Sequence, residues 1–540
     1  MRLFRLPFVL AALFALHVAG CGGSGRGPGE AGVFRFRIPG DPVSLDPIHS
    51  VDLVSQTVVN NLFDPLVRLD AVSGEVVPCL ARSWEPLDSA GLAYRFHLHG
   101  DRLFHNGRAV TAADVRYSFE RLLDPRSASE RPWVLTPILG AERFRAGGAP
   151  DVEGIAVEDD STLVLRLERP WAPFLAQLTM SGASIVPREE VERLGAERFG
   201  QEPVGSGPFR FLGWQHDSWV RLERFEGYVP GLPGIHSLEF PVVPSVSVAL
   251  EKFAAGELDQ LEQIPPGQMD LARRRFDGQL HIWPGLSVRY IGFNLSREPF
   301  RGNHALRLAF NYAVNKRAIT EVLSEGVDEI STGPLPPGLA GWDSEATGYP
   351  FDLEKARALL AEAGYPEGNG LPELTLLYNN DPQDRRVCEF VQACLAEIGV
   401  KVRLKSLEWA AFLAAIRAGE SDLFRGSWVG DFPDAHNFLF TLFHSSNWGD
   451  AGNYTRYSNS GVDSLLTLAL RSTDQAQRSG LYREAERLIV ADVPWIFTYH
   501  PGQVALVGPR WRGMTYPVVG IWAAELWRLQ PVAVGEGGLR

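Results

Sequence analysis

The chain has few cysteines, no extended basic segment and, after its first twenty residues, no long apolar run. Four cysteines in 540 residues exclude a disulfide-dense scaffold, and no two of them are spaced as a zinc or redox pair. Cys388 and Cys394 fall six apart on a predicted helix, about 9 Å along its axis, too far for a relaxed disulfide. With Cys79 they are expected as free, buried thiols. Acidic residues outnumber basic ones by 65 to 52, a net charge of −13, which argues against a nucleic-acid partner. Beyond residue 20 nothing supplies the roughly 20 apolar residues of a membrane-spanning helix.

Three common catalytic patterns are also missing: the GxxxxGK[ST] phosphate loop, the HExxH zinc helix and the GxSxG nucleophile elbow. Gly205-Ser206-Gly207 has its serine one place too early for the last. What remains is an ordinary globular balance, 45% hydrophobic and 22% charged, on a chain long enough for two to four structural units.

The N-terminus reads as an export signal. Arg2 and Arg5 precede an apolar stretch, Phe8 to Val18, too short to span a bilayer. Val18-Ala19-Gly20-Cys21 resembles the cleavage box of bacterial lipoproteins, in which the cysteine becomes the acylated first residue of the mature chain. The alternative is a plain secretory signal with an incidental Cys21. Removing residues 1–20 takes away two arginines and moves the net charge from −13 to −15. Gly/Ser-rich residues 21–31 read as a flexible tether.

Strands and helices alternate along the rest. Leu374 to Tyr378 is a short apolar run, and Val387, Val391, Cys394, Leu395 and Ile398 recur at helical spacing up to Gly399. Val400, Val402 and Leu404 then alternate with charged residues, so a βαβ unit with parallel strands is predicted. A helix over Trp409 to Ala418 leads to an apolar run at Leu423 to Val429. In open α/β sheets ligands bind beyond the carboxyl ends of strands, which nominates the residues just after Val429. Elsewhere, Leu353 to Ala363 reads as a helix capped by Asp352, Tyr94 to Leu98 as a half-exposed strand, and Thr111 as the cap of another helix.

Three clusters bear on chemistry. His97, His99 and His105 lie close in sequence, and the first two would share a strand face; a metal site is conceivable, an exposed face the plainer reading. Asp431 and Asp434 are spaced as paired carboxylates for acid/base work, though without a nucleophile or metal. Around them stand Trp409, Trp428, Phe432, Phe438 and Trp448, aromatic groups suited to a ligand cleft or to a core, with Phe438 and Trp448 read as core.

In order along the chain, PVSLDP (Pro42 to Pro47), NLFDPLV (Asn61 to Val67), VPCLARSWEP (Val77 to Pro86), YRFHL (Tyr94 to Leu98), FHNG (Phe104 to Gly107), TAADVRYSFER (Thr111 to Arg121), GSGPF (Gly205 to Phe209), FNLSREPF (Phe293 to Phe300), FDLEKARALLAEAGY (Phe351 to Tyr365) and GSWVGDFPDAHNF (Gly426 to Phe438) together resemble family 5 solute-binding proteins of ABC importers, the oligopeptide- and dipeptide-binding group. The resemblance implies an α/β, periplasmic binding protein-like fold (type II, cluster C) with two lobes, a hinge and an extra inserted subdomain. It places lobe I at 32–63, 188–288 and 500–540, the insertion at 64–187 and lobe II at 289–499. It implies no enzyme activity, cofactor or metal, a peptide ligand held between the lobes, a membrane permease as partner and a monomer exported and lipid-anchored at Cys21, in the periplasm or on the outer face of the cytoplasmic membrane.

By the family's pattern Asp431 pairs with a peptide's amino group, Trp428 and Trp409 line the pocket, and Tyr117 reaches the cleft from the insertion. The family more often has Tyr at position 432. Other members of the fold carry nickel chelates, oligosaccharides, opines or haem, so the ligand class stays open. Asp431 in a loop is also suited to capping the helix that follows it.

Overall fold

The computed structural model describes residues 32–449 and 452–532, so the signal, the tether and Cys21 lie outside the described residues. The fold is mixed α/β. Its central element is a six-stranded sheet in the order Glu329–Ile330, Trp495–His500, Ser287–Phe293, Leu423–Val429, Leu374–Asn379, Val402–Leu407. The last three strands pair in parallel, as the βαβ reading requires, and the middle ones pair antiparallel. The connecting helix, Pro382–Ala396, is capped by Asp381 and followed by Gly399 at φ +83°. That glycine is obligatory, because a Cβ there would lie 2.1 Å from the Glu367 carbonyl oxygen.

Local signals elsewhere act as expected. In Ala93–Leu98 the side chains of Tyr94, Phe96 and Leu98 are buried while Arg95 and His97 are half-exposed. Asp352 caps Leu353–Glu362 by accepting from the Lys355 amide at 2.9 Å. Thr111 precedes Ala112–Leu123, and its amide donates to the Asp114 carboxylate at 2.9 Å. Cys79 and Cys388 are buried, Cys394 is half-buried, and all three are free thiols.

A second sheet, in the order Val33–Arg35, Ser237–Pro241, Trp219–Arg224, Phe209–Gln215, packs with the segment around Val58 to Phe63 and with Trp511 to Leu529. A third, antiparallel sheet of Ala81–Pro86, Ala93–Leu98, Thr162–Arg166 and Ile155–Asp159 has its own core, drawn from Leu66 to Ile185 with Ile48 and Phe432. The chain crosses between the small sheet of Gln260–Leu261, Gly502–Val507 and Leu280–Pro284 and the six-stranded one twice: into the larger sheet between Pro284 and Ser287, and back between His500 and Gly502. No helix among the described residues is long and apolar enough to cross a membrane.

Candidate functional site

Ser287 lies opposite Val429 in the antiparallel register, so the end of strand Leu423–Val429 meets one of the two crossings. The Gly430 amide donates to the Leu286 carbonyl at 2.7 Å, pinning the next residue, Asp431, beside it. Phe432 then turns into the core of the third sheet, where it is 1% exposed. Three consecutive residues thus tie the six-stranded sheet to its neighbours, with Asp431 in the middle.

Asp431 lines a cavity of about 300 Å³, at the small end of ligand pockets. Val51 and Asn60, Arg131, Gly430, and Trp522 and Trp527 line it too, so its walls come from segments packed beside each of the three larger sheets. The Asp431 amide donates to Asn437 Oδ1 at 3.0 Å, and Asn437 Nδ2 donates to Asp431 Oδ2 at 3.3 Å. Asp431 Oδ1 faces Arg131 Nη1 at 3.6 Å, and Arg131 Nη2 donates to the Val51 carbonyl at 2.8 Å. Burial pushes the Asp431 carboxyl above the usual carboxylate range, with Arg131 and Asn437 opposing the shift.

Of the family-derived residues, only Asp431 lines this cavity. Trp428 packs against the core of the six-stranded sheet and donates its indole N–H to Asn437 Oδ1 at 3.1 Å, so it touches Asp431's support. Trp409 opens helix Trp409–Ala418, stacks on Phe412 and is 53% exposed. Tyr117 packs with the core of the second sheet beneath the Arg188 guanidinium. Trp448, read as core, is half-exposed, its indole donating to the Tyr457 carbonyl at 2.7 Å, whereas Phe438, also read as core, is fully buried.

The two acids do not form a working pair. Asp434 is gripped by the guanidinium of buried Arg478 at 2.7 and 2.9 Å, and it caps the following turn by accepting from the His436 amide at 2.8 Å. Asp431 does not cap the helix His436–Phe443, whose first amide donates to Asp434 instead. The histidines are separate as well. His97 and His99 lie 3.9 Å from Glu85 and Asp101, whereas both ring nitrogens of His105 bond the Gly205 amide and Gly207 carbonyl, joining FHNG to GSGPF. Among the described residues no histidine, cysteine and carboxylate group is arranged to hold a metal.

Further charged side chains line the cavity. Arg68 lies 3.7 Å from Glu525 and over the Trp527 ring, and the Tyr228 hydroxyl donates to Asp64 at 3.3 Å. Burial raises the Asp64 carboxyl to about 6 despite Arg68. Arg131 and Trp527 carry no sequence pattern that marks them, whereas Asn437 stands inside the segment GSWVGDFPDAHNF.

The description "Bacterial extracellular solute-binding proteins, family 5 Middle" matches residues 75–450. Haem-binding protein A of Haemophilus influenzae is 34% identical over 488 residues, covering 87% of this chain and 88% of that one. The dipeptide-binding protein of Escherichia coli K12 is 31% identical over 454 residues, covering 81% and 83%. Among solved structures, HbpA2 of Haemophilus parasuis superposes with a TM-score of 0.80 at 29% identity, covering 93% of this chain and all of that one. The unliganded open form of the periplasmic murein tripeptide-binding protein MppA gives 0.78 at 27% identity, covering 93% and 98%. The architecture is accordingly the two-lobed fold of periplasmic peptide-binding proteins, and this chain belongs to the family 5 extracellular solute-binding proteins of bacteria.

Proposed function

We propose that this chain is the lipid-anchored binding component of an ABC importer, capturing peptides between its lobes and delivering them to a membrane permease. The observation that carries the reading is Asp431: a carboxylate in a cavity walled by segments from beside the three larger sheets, two residues past a strand end that abuts a crossing between sheets. A carboxylate withdrawn from bulk water holds an ammonium more strongly than an exposed one does. The relatives' own descriptions, dipeptide- and murein tripeptide-binding, support a peptide ligand. In this reading Pro284–Ser287 and His500–Gly502 form the hinge, Cys21 carries the lipid, and closure of the lobes presents the loaded form to the permease. Trp428 serves through Asn437, and Trp409, exposed beside the lobe, is reached by larger ligands. Tyr117, packed with the core of the second sheet, stands outside the cavity lining.

The test is to express residues 26–540 and identify by native mass spectrometry what co-purifies and is released on unfolding. A ladder of short peptides is the expected result. A single non-peptide species, such as a nickel chelate, oligosaccharide, opine or haem, would keep the transport role and overturn the ligand. Turnover of a mixed substrate library would overturn the binding role itself.

A further inference from the structure

The bodies on either side of the cleft exchange side chains. The insertion is bound to lobe I: Arg121 Nη1 donates to buried Asp46 at 2.8 Å, Arg131 reaches the Val51 carbonyl, and His105 bonds Gly205 and Gly207. Phe432 follows the last residues of a lobe II strand, yet its ring is 1% exposed inside the insertion's core. In return Leu69, from the insertion, packs against the core of the six-stranded sheet. Further along, the Trp171 and His436 rings meet edge to face with centroids 5.3 Å apart, and the Ala172 amide donates to the Leu470 carbonyl at 2.9 Å. The two bodies are joined along the chain at Pro284–Ser287 and His500–Gly502, so opening at that hinge draws Phe432 and Leu69 out into water. Phe432, Trp171 and Ala172 do not line the cavity. Closure therefore buries apolar surface with or without a ligand.

We infer that Phe432 and Leu69 form an apolar clasp across the cleft, with Trp171 and Ala172 as its outer catch, which holds the lobes closed in the absence of ligand. A ligand then meets a protein already largely in its binding conformation. Loosening the clasp lowers that population and weakens every ligand by the same factor. The inference rests on the two-lobed hinge of the proposed function and is independent of a peptide as the ligand.

Small-angle scattering on residues 26–540, stripped of bound ligand in denaturant and refolded, tests it. Ligand-free wild type should match the profile calculated from this structure. Phe432→Ala should lower the closed-to-open ratio by at least about tenfold, the scale of burying one phenyl ring, and enlarge the radius of gyration. Trp171→Ala should expand the protein in the same sense by less, and it carries the test alone if Phe432→Ala fails to fold. Calorimetry with Ala-Ala and Ala-Ala-Ala should show Phe432→Ala weakening both peptides by one common factor, about three- to tenfold, with saturating peptide restoring the compact profile. Ligand-free wild type as expanded as the variants, or variants as compact as wild type, overturns the inference. The scattering needs no ligand, so the two readings fail separately. If wild type is expanded but binds peptides, the clasp falls and the peptide reading stands; if wild type is compact, opens in the variants and binds no peptide, the clasp stands and the peptide reading falls.

Discussion

Asn437 holds Asp431 from both sides: its carbonyl oxygen accepts the Asp431 amide at 3.0 Å, and its amide nitrogen donates to the carboxylate at 3.3 Å. The same carbonyl oxygen also accepts from the Trp428 indole. One buried amide thereby sets the backbone, the carboxylate and the neighbouring ring of the strand end. Asn437→Ala should weaken binding of amino-bearing peptides by about tenfold, the scale of a hydrogen bond to a charged group. Titration calorimetry measures this, and an affinity unchanged within twofold would contradict the positioning role.

Asp431 and Asp434 should separate cleanly by readout. Asp431→Ala is expected to cost at least about 30-fold in affinity, within the 2–5 kcal/mol range for truncating a buried charge partner, while the melting temperature hardly moves. Asp434→Ala leaves buried Arg478 unpaired and should destabilise the fold by about 3–5 kcal/mol. Denaturant unfolding distinguishes them; a stable Asp434→Ala protein would refute the structural assignment.

Acidification should release amino-bearing ligands. Ammonium binding needs an ionised Asp431, and burial has raised that carboxyl above 3.8. As pH falls through the raised value, the ligand-free protein gains a proton that the complex does not hold, so affinity declines sooner than an exposed aspartate would allow. Affinities measured from pH 8 down to pH 4 provide the check, with Asp431→Asn expected to flatten the profile.

Glu486 predicts a pH effect on stability alone. It is 6% exposed, accepts the Leu335 amide at 3.0 Å, and is pushed by burial from 4.5 up to about 8. Between those pH values the folded chain holds a proton that the unfolded chain has released, so this group's contribution falls as pH rises and levels off above pH 8. Glu486→Gln removes the ionisation while keeping the acceptor. The variant should gain on wild type across that window, on the order of 3–5 kcal/mol at pH 9. Parallel melting curves at pH 5 and pH 9 test it, and a gap that does not grow with pH counts against it.

The features legible from the order of residues are local. Apolar period, caps and glycine stops marked Pro382–Ala396, Trp409–Ala418 and the strands around them, because each depends on residues a few places apart. Strand order in a parallel sheet then put the residues after Val429 at a binding edge, which is why Asp431 could be named from topology. Tertiary structure alone decided what Asp431 meets. Arg131 reaches it from a distant segment through the Val51 carbonyl, Phe432 is swallowed by a core to which it has no sequence neighbour, and Trp448 is half-exposed where its aromatic character suggested burial. Asp434 had a spacing that suited acid/base work, and only its contact with Arg478 shows that its charge is already committed. Burial and ion pairing are through-space quantities, summed over whichever segments the fold packs together, and no spacing along the chain encodes them.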